Sequence, residues 1–250
     1  MPHPLDGVKA KIERAIEHIE HFAVDANTFE RSAYSLRPEP DIELGRLHLF
    51  LVDNGLSDPP FPLRLLAAEI AHQLRSSLDH IVFILANKAA ERDRQFPIYK
   101  EPKKYKTSSP AMIKGVSARA KAIIEKAQPF QSSTPDHHPL WMLHELNNTD
   151  KHKVIPACSI YTSQAKIDFT PGPIYFINFE GGKRVVEGSA KLGYVPLPSG
   201  YTPEMKMNSE SLFTVAFKEI GTAKFEPAVP LPYQMLSVVS GLYDQFMGEF

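Results

Sequence analysis

Several features are absent or scarce in this chain of 250 residues, and each absence narrows its class. Cys158 is the only cysteine, so no disulfide can form within the chain, as is typical of a reducing compartment. The start has no basic segment followed by an apolar stretch, so we expect no secretory signal. The longest purely apolar run, 81–86, is too short to cross a membrane. We therefore predict a cytoplasmic protein without a membrane partner.

Common catalytic patterns are also missing. The sequence contains no glycine-rich phosphate loop, no Gly-x-Ser-x-Gly elbow and no His-Glu-x-x-His pair. The formal net charge is −1, so no global field attracts nucleic acid, and any basic site must be local. Cys158 lies among apolar neighbours in a predicted strand, where packing is the expected role. We predict no cofactor and no metal.

The first half of the chain is dominated by helical patterns. Apolar residues alternate at intervals of three and four from Leu5 to Ala33, which predicts a helix of roughly eight turns that ends before Arg37-Pro38-Glu39-Pro40. A second helix is predicted to begin near Pro62 and to continue to about residue 91, and its second half is apolar all round. Ser117 is a predicted N-cap, Pro139 fits the first turn of another helix, and 96–116 is predicted as a loop with short helices at most.

The pattern changes after Lys153. Apolar and β-branched residues alternate between turn residues, and hairpin-like spacing favours antiparallel pairing in segments 154–162, 165–170, 174–179, 184–187 and 211–218. A last helix is predicted from about Pro232. The predicted fold is α+β: residues 1–153 form a bundle of about four to five helices with a β-hairpin near 41–52. Residues 154–250 form an antiparallel sheet and a helix that packs back on the bundle. A single domain is the alternative.

The second predicted helix carries the residues with the strongest chemical potential. Arg75 and Asp79 are four apart, so they lie roughly 40° apart on the helix surface, beside the core stripe, with His72 on the same side. The plainest interpretation is an i,i+4 ion pair. His80 points about 140° away from Arg75 on a straight helix, so a site that contains both requires a kink or a second copy of the chain.

Arg75-x4-His80 on a bundle helix resembles the Arg-x4–6-His signature of the HEPN superfamily, helical domains that include many metal-independent ribonucleases. The resemblance implies that His80 acts as a general acid or base on RNA. It also implies that Arg75 binds the phosphate and that Asp79 orients either the Arg75 or the His80 side chain. It further implies a defence- or toxin-type endoribonuclease, and dimers are common in that superfamily.

A second polar group follows Pro139. His144, Asn148 and Lys151 fall on one helix face, whereas Asp150 falls on the stripe of Leu143 and is expected to point towards the core. Because a buried carboxylate is costly unless it is paired, we hypothesise a contact between Arg75 and Asp150. The supporting residues of the predicted site are then His72, His144, Asp150, Lys151 and His152.

The segment from Lys100 to Lys126 is locally basic, with Tyr99 and Tyr105 interleaved. Such a segment can follow an RNA backbone, and its predicted nucleic-acid contacts are Lys103, Lys104, Lys106, Lys114 and Arg119. The alternative is a solvated loop.

Two other functions compete with RNA cleavage. The first is a non-enzymatic helical interaction module, for which the region around Arg75 would be fully paired and inaccessible. The second is a metal-binding bundle in which His72, His80, His144 and His152 converge, as in DinB-like helical proteins. His18 and His21 are three apart on the first helix, where they are expected on the polar face. A homodimer is expected if the apolar seam of the first helix is incompletely covered by its own chain.

Overall fold

The computed structural model describes residues 3–56, 58–86, 94–161, 164–170, 172–178, 188–202, 205–210, 213–221 and 223–249. The chain divides into two compact units. We call the first the helical unit; it comprises Met1–Ala23, Phe61–Pro156 and Lys218–Phe250. We call the second the sheet unit; it comprises Val24–Pro60 and Ala157–Phe217. The α+β class predicted from the sequence is confirmed.

The predicted first helix is confirmed as α1, Asp6–Ala33, and its apolar seam is buried along its whole length. In the helical unit it packs antiparallel to α2, Phe61–Leu85. His18 of α1 contacts Glu69 of α2. Lys11, seven residues earlier on α1, contacts Ser76, seven residues later on α2, so the two helices run in opposite directions. Because the seam is covered by its own chain, it supplies no argument for a homodimer.

The helical unit is completed by α3 (Pro102–Met112), α4 (Ala118–Lys126), α5 (Pro139–Asp150) and α6 (Pro230–Met247), with strand β9 (Ala223–Pro227). Helices α2, α5 and α6 contact one another, and α4 and β9 contact α6. Buried leucine, methionine and phenylalanine side chains of α5 and α6 fill this centre, as the apolar spacing of both segments predicts.

Local signals in the sequence explain how α3 and α4 begin. The N-cap predicted at Ser117 is confirmed, since its hydroxyl accepts a hydrogen bond from the Ala120 N–H at 3.0 Å. The loop predicted for 96–116 is wrong in part, because α3 is a helix of 11 residues. Only Tyr105 and Ser109 of α3 are buried, so the helix has no apolar periodicity to reveal it. Pro102 in its first turn was the available signal.

The sheet unit contains strands β1 (Tyr34–Asp41), β2 (Arg46–Asp53), β3 (Ala157–Tyr161), β4 (Gln164–Thr170), β5 (Ile174–Asn178), β6 (Ser189–Pro196) and β7 (Lys206–Glu210). Strand β8 spans Phe213–Ile220. The strand orders are β1-β2-β6, β5-β4-β7 and β3-β8-β9. Antiparallel pairing, as predicted, is observed for β1 with β2, β2 with β6, β3 with β8, and β4 with both β5 and β7. The strand predicted at 184–187 lies outside the described residues, whereas β6, β7 and β9 were not anticipated.

The hairpin predicted near 41–52 is longer than expected. Helix α1 ends at Ala33, and β1 begins at the next residue, so the two prolines Pro38 and Pro40 lie inside a strand. Strand β1 is an edge strand, where a missing N–H can face solvent without breaking a ladder. One face of β2 is buried through Leu47, Leu49 and Leu51.

None of the helices in the described part of the chain combines the length and the apolar character that crossing a membrane requires.

Candidate functional site

An extended segment, Phe96-Pro97-Ile98-Tyr99, passes through the core of the helical unit. Phe96 is 0% exposed, and Pro97 and Ile98 are buried. Buried backbone groups need hydrogen-bond partners, yet no described strand pairs with this segment. Side chains supply the partners instead. Gln128, itself fully buried, donates to the Pro97 carbonyl at 2.8 Å and accepts from the Tyr99 N–H at 3.0 Å.

Arg75 and Asp79 of α2 bind the backbone of Phe96 from the other side. Arg75 Nη2 donates to the Phe96 carbonyl at 2.7 Å, and the Phe96 N–H donates to Asp79 Oδ1 at 2.8 Å. Arg75 Nη2 also donates to Asp79 Oδ1 at 2.8 Å. The i,i+4 pair predicted from the sequence therefore exists, and it serves Phe96 as a neighbouring strand would. We call these three residues the clamp.

Burial raises the electrostatic cost of the clamp. Burial lowers the pKa of Arg75, and the attraction of Asp79 opposes this. Burial also raises the pKa of Asp79, against the charge of Arg75 and the hydrogen bond from Phe96. Arg75 is 8% exposed, and its second nitrogen, Nη1, is buried without a partner among the described residues. A cationic N–H in that state favours an anionic neighbour.

Helix α5 brings a neutral imidazole near this guanidinium. The pKa of His144 is lowered to about 4 by burial, then by the positive charges of Arg75 and Lys151. Lys151 Nζ donates to Asn148 Oδ1 at 3.4 Å, and Asn148 Nδ2 lies 2.9 Å from His144 Nε2. Because an amide nitrogen only donates, Nε2 accepts, and the proton of the neutral ring lies on Nδ1. The sequence predicted His144, Asn148 and Lys151 on one face, and they contact one another.

His80 lies elsewhere on α2. A Cβ on Gly7 of α1 would come within 3.0 Å of His80 Cε1. Burial lowers the pKa of His80, and the charge of Lys11, also on α1, lowers it further. The ring therefore faces α1, whereas Arg75 faces Phe96 and lies near α5. Within one chain these two residues do not form the shared site that the Arg-x4-His resemblance implies.

A polar concavity lies between α1, α2 and the end of α5. Its volume is about 440 Å³, and its lining residues are Arg14, His18, Leu65, Ala68, Glu69, His72, Gln73 and Asp150. Asp150 is exposed there, so its predicted coreward orientation is wrong. The hypothesised contact between Arg75 and Asp150 is also wrong, because the described partners of Arg75 are Asp79 and Phe96. Arg75, Asp79 and His80 are not among the lining residues.

The remaining predicted residues are on the surface. His152 is exposed next to Lys151. Lys103, Lys106 and Lys114 are exposed, whereas Lys104 pairs with Glu101 at 2.6 Å and Arg119 pairs with Glu249 at 3.0 Å. Tyr105 is 5% exposed and packs against Phe130, so its ring is not available to stack on a base.

The histidines do not converge on a metal site. His18 and His72 share the cavity of α1 and α2, but His144 lies near Arg75, and His80 faces α1. Across the described ranges, no group of three or more histidine, cysteine, aspartate or glutamate side chains could hold a metal ion.

Two residues of the site could not be predicted from side-chain patterns. Phe96 acts through its backbone, and no motif marks Gln128 as a partner of the segment that follows Phe96. The apolar triplet Phe96-Pro97-Ile98 inside a polar stretch was the available signal for a buried segment.

Comparison of the chain with protein-family models, with curated proteins and with solved structures found no match in any of the three.

The clamp predicts that removing one of its charged partners lowers the free energy of unfolding. Asp79→Asn leaves Arg75 as an uncompensated buried cation, so we expect a loss of about 2 kcal/mol in the free energy of unfolding, measured by urea denaturation. This figure is below the usual range for buried pairs because 34% of the Asp79 side chain is exposed. Replacing both partners, in Arg75→Met with Asp79→Leu, should not restore the loss, because the N–H and the carbonyl of Phe96 would then be buried without partners.

A matched control is the exposed i,i+4 pair of Lys9 and Glu13 on α1, whose charged atoms are 3.7 Å apart. Glu13→Gln should cost under about 0.5 kcal/mol. Equal losses for Asp79→Asn and Glu13→Gln would show that the clamp has no structural role.

The lowered pKa of His144 predicts a pH dependence of stability. In the unfolded chain this imidazole takes up a proton near its ordinary pKa of 6.5, whereas the folded protein resists protonation until about 4. The unfolded state therefore binds more protons in this window, so the stability contributed by His144 declines as the pH falls from 6.5 to about 4. His144→Gln should show a shallower decline in urea midpoint over this range, while His152→Gln, at an exposed position, should match the wild type.

Proposed function

We propose that the chain binds a phosphate-bearing ligand, RNA in the first instance, at the cluster formed by Arg75, His144, Asn148 and Lys151. The observation that carries this proposal is the buried Arg75 Nη1, which has no partner in the described part of the chain. An unsatisfied cationic donor in a protein interior is costly, and an anion would satisfy it. The proposed function is that of a phosphate-binding module. It differs from the interaction module of the sequence analysis, for which Arg75 would be fully paired, because Nη1 has no described partner.

The hydrogen-bonding capacity of the cluster suits a phosphate better than a base or a sugar. Arg75 Nη1 and Lys151 Nζ donate and carry positive charge, and the neutral His144 ring carries a donor at Nδ1 because Asn148 contacts its Nε2. Phosphate oxygens accept several such bonds at once. Asp79 is the nearby carboxylate, and its Oδ1 already accepts from Arg75 and Phe96.

The ligand would have to move side chains to reach Arg75. Nη1 is buried, and the Lys151–Asn148–His144 chain is the most accessible side of the cluster, since Lys151 is exposed and the other two are half-buried. Binding would begin at Lys151 and proceed when Asn148 turns away from His144. The resemblance to the HEPN superfamily favours RNA among phosphate-bearing ligands.

Metal-independent RNA cleavage is a second candidate, because His144 and Lys151 would lie beside the phosphate that Arg75 binds. The ring of His144, whose pKa is lowered to about 4, is unprotonated at neutral pH but is a weak base. An anionic phosphate beside it would raise that pKa towards neutrality, where the ring can accept a proton. In this scheme the 2′-oxygen attacks the phosphorus, its proton passes to Nε2 of His144, and the P–O5′ bond breaks. The 5′-oxygen takes a proton from Lys151, leaving a 2′,3′-cyclic phosphate. Arg75 stabilises the charge on the phosphoryl oxygens.

Inorganic phosphate should stabilise the protein if the proposed site exists. A ligand that binds only the folded state raises the melting temperature, so phosphate should raise it above the value in chloride at equal ionic strength. Lys151→Ala should weaken phosphate affinity about tenfold, because a charge-assisted hydrogen bond is lost.

Lys153→Ala is the matched control, since Lys153 is also exposed and lies two positions further along the chain. A phosphate shift that is equal in the wild type and both variants would contradict binding at this cluster.

Cleavage is tested with single-stranded RNA in the presence of EDTA. If His144 exchanges the proton, His144→Gln should slow the formation of cyclic phosphate ends by at least about 100-fold, whereas His152→Gln should not. Loss that follows His80→Gln instead would return the catalytic role to the residue that the resemblance implies. If the RNA stays intact while phosphate still raises the melting temperature, the protein binds phosphate at this cluster but does not cleave RNA.

A cytoplasmic location remains part of this proposal, supported by a single cysteine that is buried in the fold. A homodimer is also a proposal, and it rests on the HEPN resemblance alone.

A further inference from the structure

The sheet formed by β1, β2 and β6 has two faces of opposite character. Leu47, Leu49 and Leu51 lie on the buried face. The opposite face carries cations and aromatic rings on all three strands, at neighbouring register positions: Arg37, Arg46, His48, Phe50, Lys191 and Tyr194. We call this the basic–aromatic face. It lies entirely within the sheet unit.

A bulge in β6 assembles this face. Phe50 pairs with Lys191 and His48 pairs with Tyr194, although Lys191 and Tyr194 are three residues apart. In a regular strand, residues three apart point to opposite faces. The register shift between Leu49 and Phe50 inserts one extra residue into β6, so Lys191 and Tyr194 both face outwards.

Cations lie over the rings on this face. The Arg46 guanidinium carbon is 4.3 Å from the centroid of the Tyr194 ring, and that of Arg37 is 5.2 Å from the centroid of Phe50. Lys191 Nζ is 5.9 Å from the same Phe50 centroid. Tyr194 is 51% exposed, so its ring is accessible from solvent.

We propose that the basic–aromatic face binds a single-stranded oligonucleotide. Nucleobases stack on exposed aromatic rings, and cations beside the rings pair with the phosphates that link the bases. A base can replace the Arg46 guanidinium on Tyr194, and that guanidinium then becomes available to a phosphate. Phe50 and Tyr194 are diagonal neighbours on adjacent strands, about 7–8 Å apart, which allows two bases to be held in turn.

The charge of the face agrees with a polyanion. Its cations are Arg37, Arg46 and Lys191, and its carboxylates are Glu39 and Asp41. Glu39 lies 3.0 Å from Arg37, so these two charges offset each other. Asp41 lies 3.8 Å from His48 and is the register partner of Arg46. Arg46 and Lys191 lie over rings and form no ion pair with a described carboxylate, so they are the cations available to a phosphate. This site is separate from the phosphate-binding cluster of the helical unit and does not depend on it.

Fluorescence anisotropy with the full chain tests the proposal. The probe is a labelled single-stranded DNA of mixed sequence and about 12 nucleotides. DNA lacks the 2′-hydroxyl, so it resists the cleavage considered above, and an RNA of the same sequence forms a second arm. Tyr194→Ala should weaken binding about tenfold, and Tyr194→Phe should retain it. Tyr233→Ala, at an exposed tyrosine of α6, is the matched control and should bind as the wild type does.

Salt dependence provides an independent readout. Arg46→Gln should reduce the slope of log affinity against log salt by about 0.7, because one phosphate contact is lost. Arg31→Gln, at an exposed arginine of α1, should leave the slope unchanged. The proposal is overturned if the wild type binds neither probe or if Tyr194→Ala binds like the wild type. It is also overturned if polyglutamate of similar length competes as well as the oligonucleotide. Failure of the phosphate experiment on Lys151 would leave a Tyr194 effect intact, so the two proposals can fail separately.

Discussion

The helical unit depends on satisfying the backbone of one buried segment, Phe96–Tyr99. This segment has no described strand beside it, so its polar groups would be orphaned without side-chain partners. Arg75 and Asp79 bind both polar groups of Phe96, and Gln128 binds the next backbone groups along the chain. A charged pair is placed in the core because it can serve a donor and an acceptor together.

The same constraint produces the chemical character of the candidate site. In the described part of the chain the hydrogen bonds of Arg75 run through Nη2, and the buried Nη1 has no partner. The positive charge of Arg75 helps to keep His144 neutral. The structural clamp and the proposed anion-binding cluster therefore both depend on one buried guanidinium. The burial that makes the clamp effective also limits access to Nη1, which places the first contact of any ligand at the exposed Lys151.

The sequence predicted the parts of the fold that follow from local periodicity. The long seam of α1, the core stripe of α2 and the N-cap at Ser117 were all visible in the order of residues. It failed where the local signal was weak or ambiguous. Helix α3 is polar on nearly every side, and β1 contains two prolines that an edge strand tolerates. The bulge in β6 lies beside Gly193, which is a weak signal on its own, and it decides which way Tyr194 faces.

For the site, the sequence by itself determined that Arg75 and Asp79 form an i,i+4 pair and that His144, Asn148 and Lys151 share one helix face. These relations are internal to single helices, where spacing fixes direction. Only the tertiary structure decided that Arg75 faces the backbone of Phe96 rather than Asp150, and that His80 faces α1. Helical spacing gives the angle between two side chains but does not identify the segment that each one meets. That identity is set by how distant parts of the chain pack together.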